Sequence, residues 1–469
     1  MPSLPTWAWI LAALLAALAV ARAARRWVRR FFFRLAVRTR RELGVKLNPM
    51  TLTRRQKLKA ELLEDPALAA FVAAQALETG RPEEALWTDV NEYLEEIIPA
   101  FKLLTTYRYG RKVAGVLLRG LYRVRVGRSA DAALNQIPRT ASVIYVMNHR
   151  SNADYVLVAF LLANRVAVSY AVGEWARVWP LDRIFRSFGS FFIRRRFRDP
   201  LYHKVLERYV QRAVEAGITQ GVFLEGGLTR DGALLPPKLG LLDYMLRAKA
   251  DVVFIPVGIN YDRVLEDVSL TEESARKAAA DAGGKPPGSR RSLRRTAFWV
   301  LGLAFRGATG RFHRMGYAVA NFGAPLRARD HLPEDFAGLD WEARKPHLAR
   351  LAEHLMASVR AEVPVTPVGL AAWSFLSLRA GTAPRQEVEA ACLRHLDQAK
   401  AHGLPATLSK GSPERAAAMG LGILLHRGIL AEAGGRLGAV PGREALLAYY
   451  AAGVAHHFQV GDPSKKPKD

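Results

Sequence analysis

Cysteine is almost absent from this sequence of 469 residues, in which Cys392 stands alone. A single thiol excludes a disulfide framework and any zinc or iron–sulfur site built from cysteines. Acidic residues are also scarce: 43 Asp and Glu stand against 69 Lys and Arg, a formal net charge of +26. Half of the residues are hydrophobic, so the chain can bury a large core and is not mainly disordered. The positive excess predicts an anionic partner, which can be nucleic acid, an acidic lipid surface or a phosphorylated substrate.

Several common chemical signatures are also missing from the sequence. There is no Gly-x-Ser-x-Gly nucleophile elbow, and no motif surrounds Cys392, so a covalent intermediate has no evident nucleophile. There is no P-loop, no dinucleotide-binding fingerprint and no constellation of metal ligands. The sequence therefore implies no bound cofactor and no metal.

The N-terminus begins with a long apolar run. Residues 7–21 are all apolar, and a helix extended to Ala24 would be about 27 Å long, slightly shorter than a hydrocarbon core of about 30 Å. No Lys or Arg precedes Arg22, whereas a signal peptide needs a basic start. We therefore predict a hydrophobic membrane anchor at residues 1–24, with a cleaved signal peptide as the less favoured alternative.

A basic segment follows this run directly. Residues 22–41 contain nine arginines and no acid. Five of the arginines recur every four residues from Arg22 to Arg38, which places them on one helix face beside an aromatic face. This pattern predicts a basic amphipathic juxtamembrane helix over residues 25–45 that lies on anionic lipid; a solvated or RNA-binding helix is the alternative. The positive-inside rule then places the rest of the chain on the cytoplasmic side of the membrane, the inner or plasma membrane if the source is bacterial.

Hydrophobic periodicity divides the rest of the chain into four regions. Residues 46–130 are predicted to be helical. In residues 131–345 short apolar runs alternate with helical stretches, which predicts an α/β domain with a mainly parallel sheet flanked by helices. Residues 346–460 return to helices, and residues 461–469 are predicted to form a disordered tail. The strands are expected at residues 142–147, 166–172, 190–193, 221–224, 252–259 and 318–322, and a loop is expected at 265–295.

A short motif follows the first of these strands. His149, Arg150 and Ser151 stand together, and Asp154 follows three residues later. Residues five apart differ by about 140° around a helix, so His149 and Asp154 cannot share a helix face. They can meet if the strand ends at His149 and a turn leads into a helix that is capped near Asp154. A carboxylate on one ring nitrogen would leave the other nitrogen as a general base, although a turn histidine beside a helix-capping aspartate has the same spacing.

Three further strand ends carry polar residues. Ligands bind at the carboxyl ends of parallel strands, and guanidinium groups and glycine amides suit a phosphate monoester. Each arginine taken alone could equally form a surface ion pair. The polar residues at these ends are Arg194 and Arg195 after the strand at 190–193, the turn with Glu225, Gly226, Gly227 and Arg230 after the strand at 221–224, Lys238 beyond that turn, and Tyr261 and Asp262 after the strand at 252–259.

Taken together, the four blocks in residues 141–262 resemble the four motifs of the glycerol-3-phosphate acyltransferase family, membrane-bound members of the His-x4-Asp acyltransferase superfamily. The Arg150-Ser151 pair and the run from Phe192 to Arg195 resemble the enzymes that act on glycerol 3-phosphate. Lysophosphatidate acyltransferases tend instead to follow Phe-Ile with Asp-Arg. The third block departs from the family pattern, Glu-Gly-x-Arg-Ser-Arg, because Leu228 stands where the first arginine is expected.

The resemblance implies an O-acyltransferase that moves a fatty acyl group from acyl-CoA or acyl carrier protein to the sn-1 hydroxyl of glycerol 3-phosphate. The product would be lysophosphatidate, in the first step of phospholipid biosynthesis. It also implies that His149 takes the hydroxyl proton, that Asp154 orients His149, and that transfer is direct. The implied partners are the acyl donor, glycerol 3-phosphate and anionic membrane lipids, without nucleic acid. The residues expected to bind substrate are Arg150, Ser151, Arg194, Arg195, Glu225, Gly226, Gly227, Arg230 and Lys238.

Two alternatives stay open at this point. The nearer one is an acyltransferase of the same motif class that acts on lysophosphatidate or another lipid acceptor. The more remote one is a non-catalytic, basic membrane-binding protein, which would not need a His–Asp pair beside a phosphate site.

Overall fold

The computed structural model describes most of the chain between residues 50 and 459. The described residues are 50–98, 115, 118–138, 140–162, 168–173, 191–194, 197, 199–281, 315–407 and 411–459. The chain forms two compact units, residues 1–54 and 55–469, and the sheet belongs to the second. The predicted anchor at residues 1–24, the basic helix at 25–45 and the tail at 461–469 lie outside the described residues. Within the described ranges, no helix combines the length and the apolar content needed to cross a membrane.

Three helices that the structure describes from end to end precede the sheet, and capping residues set the break between the first two. The Asp65 carboxylate accepts hydrogen bonds from the backbone N–H groups of Ala67 and Leu68 at 3.0 and 3.2 Å. Pro66 occupies the first turn, where its missing N–H removes no helical hydrogen bond. Gly80 ends the same helix with a φ of 68°, which favours glycine. The helices are α1 (Met50–Leu63), α2 (Pro66–Thr79) and α3 (Glu83–Ile97).

One mixed sheet of eight strands supports the candidate site. The strands are β1 (Arg123–Ser129), β2 (Ser142–Met147), β3 (Ser169–Gly173), β4 (Phe191–Ile193), β5 (Gln220–Phe223), β6 (Val252–Tyr261), β7 (Tyr317–Phe322) and β8 (Leu326–Arg327). Their order is β1-β7-β6-β2-β5-β3-β4, with β8 paired to β6. The pairs β6–β7 and β6–β8 are antiparallel and the other pairs are parallel. The predicted mainly parallel sheet is confirmed, with two antiparallel pairs added.

The central strands separate two hydrophobic cores. Because successive side chains of a strand point to opposite faces, Ile144 and Val146 of β2 enter one core and Tyr145 and Met147 enter the other. The strands β5 and β6 are buried at every position, which explains why they read as continuous apolar runs in the sequence. The helices of this region are α4 (Asp131–Leu134), α5 (Asp154–Leu162), α6 (Pro200–Glu215), α7 (Gly240–Leu246), α8 (Asp267–Asp281) and α9 (Trp341–Glu362), with short 3-10 helices at Ala328–Asp330 and Phe336–Gly338.

Two elements of the α/β region differ from the sequence prediction. The strand β1 lies inside residues 46–130, which were expected to be helical; it is an edge strand whose charged side chains stay exposed, so it carries no apolar run. The helix α8 occupies the first half of the expected loop at 265–295. Its sequence contains no Gly or Pro, because the glycines and prolines of residues 265–295 all follow Asp281.

The C-terminal region packs four helices and a small antiparallel sheet. The helices are α10 (Pro367–Ser377), α11 (Arg385–Ala401), α12 (Pro413–His426) and α13 (Glu444–Phe458), and the strands are β9 (Thr382–Pro384), β10 (Leu430–Ala433) and β11 (Arg436–Ala439). The strands β10 and β11 form a hairpin whose turn residues, Gly434 and Gly435, have φ values of 56° and 72°. The prediction of helices alone for residues 346–460 therefore missed three short strands. The helices share one hydrophobic core with Tyr145 and Met147 of β2, so this region packs on the face of the sheet that leads to the site.

Candidate active site

The structure brings His149 and Asp154 into contact at the end of β2. The strand ends at Met147, a six-residue loop follows, and α5 begins at Asp154. The Nδ1 atom of His149 lies 3.0 Å from Oδ2 of Asp154, and both side chains are fully buried, with exposed fractions of 1% and 0%. The His149 ring stacks on Phe223 of β5, with a centroid separation of 4.0 Å and an angle of 29°. The strand–turn–helix geometry predicted from the five-residue spacing is therefore present.

The Asp154 carboxylate is held by donors from two parts of the chain. Its Oδ2 atom also accepts hydrogen bonds from the backbone N–H groups of Arg150 and Ser151, at 2.8 and 3.0 Å. Its Oδ1 atom accepts a hydrogen bond of 2.7 Å from the hydroxyl of Tyr261, the last residue of β6. Burial and the adjacent carboxylate raise the pKa of Tyr261 well above its ordinary value, so this hydroxyl stays protonated as a donor. The sequence placed Tyr261 at a strand end but gave it no role.

The turn after β5 fixes the backbone of His149. Oε1 of Glu225 accepts a hydrogen bond from the His149 N–H, and Oε2 accepts one from the Leu235 N–H, each at 2.8 Å. The His149 carbonyl in turn accepts a hydrogen bond of 3.1 Å from the backbone N–H of Thr229. Gly226 has a φ of 67° within this turn, a conformation that favours glycine. The structure gives Glu225 a contact with the backbone of the candidate base, and its predicted substrate contact stays a prediction.

Burial gives Glu225 an unusual pKa and leads to a pH-dependent prediction. Burial raises the pKa of its carboxyl from 4.5 to about 7, although the two backbone donors oppose the shift. The folded protein therefore keeps this proton to a higher pH than the unfolded chain does. The contribution of the proton to the free energy of unfolding is present at pH values below 4.5 and is lost as the pH rises from there through about 7. Between pH 5 and 8, the free energy of unfolding of the wild type should fall by about 1–3 kcal/mol relative to Glu225→Gln, as measured by urea unfolding. Glu273→Gln, which changes an exposed glutamate, is the control, and parallel pH curves for wild type and Glu225→Gln would contradict the assignment.

Ser151 and Asn152 are held by a second, half-buried glutamate. The Ser151 hydroxyl donates a hydrogen bond of 2.7 Å to Oε2 of Glu266, and the backbone N–H of Asn152 donates one of 3.2 Å to Oε1. Burial raises the pKa of Glu266. Ser151 is fully buried, and its hydroxyl is already hydrogen-bonded to Glu266. Its predicted contact with substrate stays a prediction. Glu266 falls in the segment expected to be a loop, and no sequence signal marked it.

Arg150 is a buried cation with one edge that lacks hydrogen-bond partners. Only 2% of the residue is exposed. Its Nη1 atom donates a hydrogen bond to the Gly232 carbonyl, and its guanidinium carbon lies 4.9 Å from the ring centroid of Tyr449. Its Nε and Nη2 atoms have no hydrogen-bond partner, and no carboxylate forms an ion pair with it, among the residues that the structure describes. An uncompensated buried charge costs several kcal/mol, so this edge is suited to an anionic ligand.

The other predicted phosphate-binding cations lie in different surroundings. Arg194 follows the edge strand β4, and its guanidinium forms an ion pair with Glu96 of α3, with Nε at 2.9 Å from Oε1. Arg195 lies outside the described residues. Arg230 is 45% exposed and pairs with Glu273 of α8 at 2.8 Å. Binding of phosphate by Arg194 or Arg230 would require these ion pairs to open, and stays a prediction.

The remaining predicted residues shape the turn after β5. The backbone N–H of Lys238 donates a hydrogen bond of 2.7 Å to the Leu224 carbonyl, and its exposed side chain runs beside Gly226. Gly227 follows in the same turn. Leu228, where an arginine was expected, is half-buried and packs against the hydrophobic core that contains Met147. The apolar residue at this position therefore has a packing role.

Known proteins resemble this chain in both of its main parts. Residues 131–260 match the acyltransferase family model, and residues 301–460 match the model of the glycerol-3-phosphate acyltransferase C-terminal region. A glycerol-3-phosphate acyltransferase of Aeromonas hydrophila is 28% identical over 367 residues, which cover 74% of this chain and 43% of that protein. One of Xanthomonas campestris is 28% identical over 357 residues, which cover 71% of this chain and 37% of that protein. The chain thus spans about two fifths of the length of these relatives.

One solved structure is also similar. The crystal structure of the 1-acyl-sn-glycerophosphate (LPA) acyltransferase from Thermotoga maritima is 18% identical, with a TM-score of 0.29, and the match covers 65% of this chain and 97% of that chain.

Proposed function

We propose that this chain transfers a fatty acyl group to the sn-1 hydroxyl of glycerol 3-phosphate, because its two main parts match acyltransferase family models and its relatives are glycerol-3-phosphate acyltransferases. One observation carries the proposal. A buried His149–Asp154 pair adjoins the buried guanidinium of Arg150, the residue next to His149, which has no ion-pair partner among the described residues. A general base beside a site for an anion suits an acceptor that carries both a hydroxyl and a phosphate.

The base in this proposal is Nε2 of His149. The Nδ1–H group of His149 donates a hydrogen bond of 3.0 Å to Oδ2 of Asp154, which fixes the tautomer and stabilises the imidazolium that forms. The acceptor hydroxyl gives its proton to Nε2 as its oxygen attacks the thioester carbonyl. The C–S bond then breaks, and the departing thiolate takes the same proton from the imidazolium. The Tyr261 hydroxyl and the two loop N–H groups keep Asp154 in place through this cycle.

The surroundings of Cys392 disfavour a covalent acyl-enzyme at this thiol, and this supports direct transfer from the donor to the acceptor. Burial raises the pKa of the Cys392 thiol to about 11, and the residue lies in helix α11, fully buried in the core. A thiol with so little thiolate at neutral pH is a poor nucleophile. In this proposal the donor is acyl-CoA or acyl carrier protein, and the acceptor hydroxyl attacks its thioester directly, without a covalent acyl-enzyme.

An acceptor assay tests the proposal. Membranes that carry the protein are incubated with labelled palmitoyl-CoA and either glycerol 3-phosphate or lysophosphatidate. We expect saturable acylation of glycerol 3-phosphate to lysophosphatidate. Saturable acylation of lysophosphatidate alone would replace the proposed acceptor, and the absence of any transfer would favour a non-catalytic membrane-binding protein.

We also propose that the protein is held at a membrane by residues 1–24, with anionic lipid bound by residues 25–45 and the catalytic region on the cytoplasmic side. The support is the apolar run and the nine arginines without an acid in residues 22–41.

Removal of this segment is expected to change how the protein is extracted. The full-length protein should stay in the membrane fraction at high salt and need detergent, whereas a protein that begins at Arg41 should be released by salt, because only screened charge contacts would remain. Ultracentrifugation after salt and detergent washes measures this. Recovery of the full-length protein in the supernatant at low salt would contradict the anchor.

A further inference from the structure

We propose that Tyr449 of helix α13 is a positioning residue for the acceptor phosphate, because it holds the Arg150 guanidinium in its binding orientation. The inference rests on the proposed function and extends it to the C-terminal region, to which the sequence gave no role. It assigns helix α13 a part in the affinity for a phosphate-bearing acceptor.

Two contacts link Tyr449 to Arg150. The guanidinium carbon of Arg150 lies 4.9 Å from the centroid of the Tyr449 ring, within the range of a cation–π interaction. The Tyr449 hydroxyl donates a hydrogen bond of 3.4 Å to the Arg150 carbonyl. Neither residue has more than 2% of its surface exposed, so the cation–π contact is desolvated and correspondingly strong.

Two glycines make this close approach possible. A Cβ atom at Gly453, one turn along α13 from Tyr449, would lie 2.5 Å from Nη1 and 2.8 Å from Nη2 of Arg150. A Cβ atom at Gly232 would lie 1.9 Å from the Tyr449 carbonyl oxygen, and Gly232 also has a φ of 89°. Arg150 therefore lies in a slot between helix α13 and the turn after β5, and any side chain at either glycine would close it.

The slot decides which N–H groups of the guanidinium lack a hydrogen-bond partner. Nη1 is taken by the Gly232 carbonyl, and one face is covered by the Tyr449 ring. The Nε and Nη2 atoms are left together without partners among the described residues. Two parallel N–H groups on one edge match two oxygens of a phosphate in a bidentate contact. A side chain already held in this orientation loses little freedom when the phosphate binds, so Tyr449 should raise acceptor affinity without changing the chemical step.

The experiment compares substitutions of Tyr449 in the full-length protein. Tyr449→Leu removes the ring and should raise the KM for glycerol 3-phosphate about 3- to 30-fold, with kcat and the KM for palmitoyl-CoA within about twofold of wild type. Tyr449→Phe keeps the ring and loses only a long hydrogen bond, so its KM should stay close to wild type. Leu447→Ala is the control, because Leu447 is a buried core residue of the same helix and its truncation destabilises the protein without removing the ring.

Gly453→Ala gives a second test that does not depend on the folding of Tyr449→Leu. Alanine is the better helix former, yet its methyl group would displace Nη1 of Arg150, so the KM for glycerol 3-phosphate should rise while the melting temperature is maintained. The proposal is overturned if Tyr449→Phe is as impaired as Tyr449→Leu. It is also overturned if Leu447→Ala raises the KM as much at an equal loss of melting temperature, or if kcat falls while the KM stays unchanged.

Direct binding keeps this test separate from the proposed function. Titration with inorganic phosphate in the absence of any donor should show weaker binding to Tyr449→Leu than to wild type or Tyr449→Phe. If the wild type acylates no glycerol 3-phosphate, the proposed acceptor fails, yet a weaker phosphate affinity of Tyr449→Leu still supports the role of Tyr449. Equal phosphate affinities of Tyr449→Leu and wild type would overturn that role whatever the acceptor is.

Discussion

His149→Ala is expected to lower kcat for acyl transfer by about 10²- to 10⁴-fold, the loss typical of a general base. The KM values should change little, because in the proposed reaction the imidazole acts on the proton in transfer and does not anchor the acceptor. Steady-state kinetics with palmitoyl-CoA and glycerol 3-phosphate measure the effect. His354→Ala, which changes an exposed histidine of α9, is the matched control. A His149→Ala protein with near-normal turnover would remove the basis of the proposed mechanism.

Asp154 needs a more conservative substitution than alanine. Its carboxylate accepts hydrogen bonds from two backbone N–H groups and from Tyr261, and it is fully buried. From the sequence alone, the position of Asp154 after a strand predicts that Asp154→Ala leaves folding intact. The hydrogen bonds in the structure predict instead that Asp154→Ala lowers both the melting temperature and the activity. Asp154→Asn keeps the shape and disturbs the tautomer of His149, so activity should fall with a smaller change in melting temperature.

Arg150→Met is expected to raise the KM for glycerol 3-phosphate by about 10- to 150-fold, which corresponds to about 1.5–3 kcal/mol of charge-assisted hydrogen bonding. Methionine keeps an unbranched side chain of similar reach and removes a buried charge that has no ion-pair partner among the described residues. The melting temperature should therefore change little, because removal of a buried charge without an ion-pair partner offsets the loss of the cation–π contact and of the hydrogen bond to Gly232. Initial rates over a range of acceptor concentrations, together with thermal unfolding, measure both quantities.

Arg230→Ala is the comparison for this variant. The family pattern predicts a strong effect, since Arg230 is the arginine that the third block retains. In the structure Arg230 is 45% exposed and pairs with Glu273, and an exposed cation contributes less than a buried one. We therefore expect a KM change within about threefold for Arg230→Ala. A larger effect at Arg230 than at Arg150 would place the phosphate at the exposed side of the turn.

The sequence alone predicted much of the sheet and the central pair of the site. Six strands were expected, and each is present within three residues of its predicted bounds. This success has a physical cause, because strands buried on both faces leave long apolar runs that few other elements produce. The contact between His149 and Asp154 could be predicted because it is local: both residues lie in one six-residue segment that runs from the strand end through a turn to the start of a helix.

The residues that hold this pair could not be predicted in the same way. Glu225 and Tyr261 contact His149 and Asp154 across 76 and 107 residues of sequence, and such contacts depend on which strands become neighbours in the sheet. Whether Arg150 or Arg230 is the better candidate to bind the phosphate depends on how deeply each side chain is buried. The sequence does not show which of two arginines is buried. The contact of Tyr449 with Arg150 depends on the packing of a C-terminal helix that carries no recognisable motif.

The separation of 299 residues between Tyr449 and Arg150 also bears on the order in which the protein folds. The sheet strands that present His149 can pair once residues 142–261 have been synthesised, yet the slot around Arg150 closes only when α13 has been made and has docked. Closing so long a loop has an entropic cost that local contacts do not offset. During synthesis, the candidate base should therefore be assembled before the anion site beside it, so that a growing chain can hold its catalytic pair long before it can retain an acceptor.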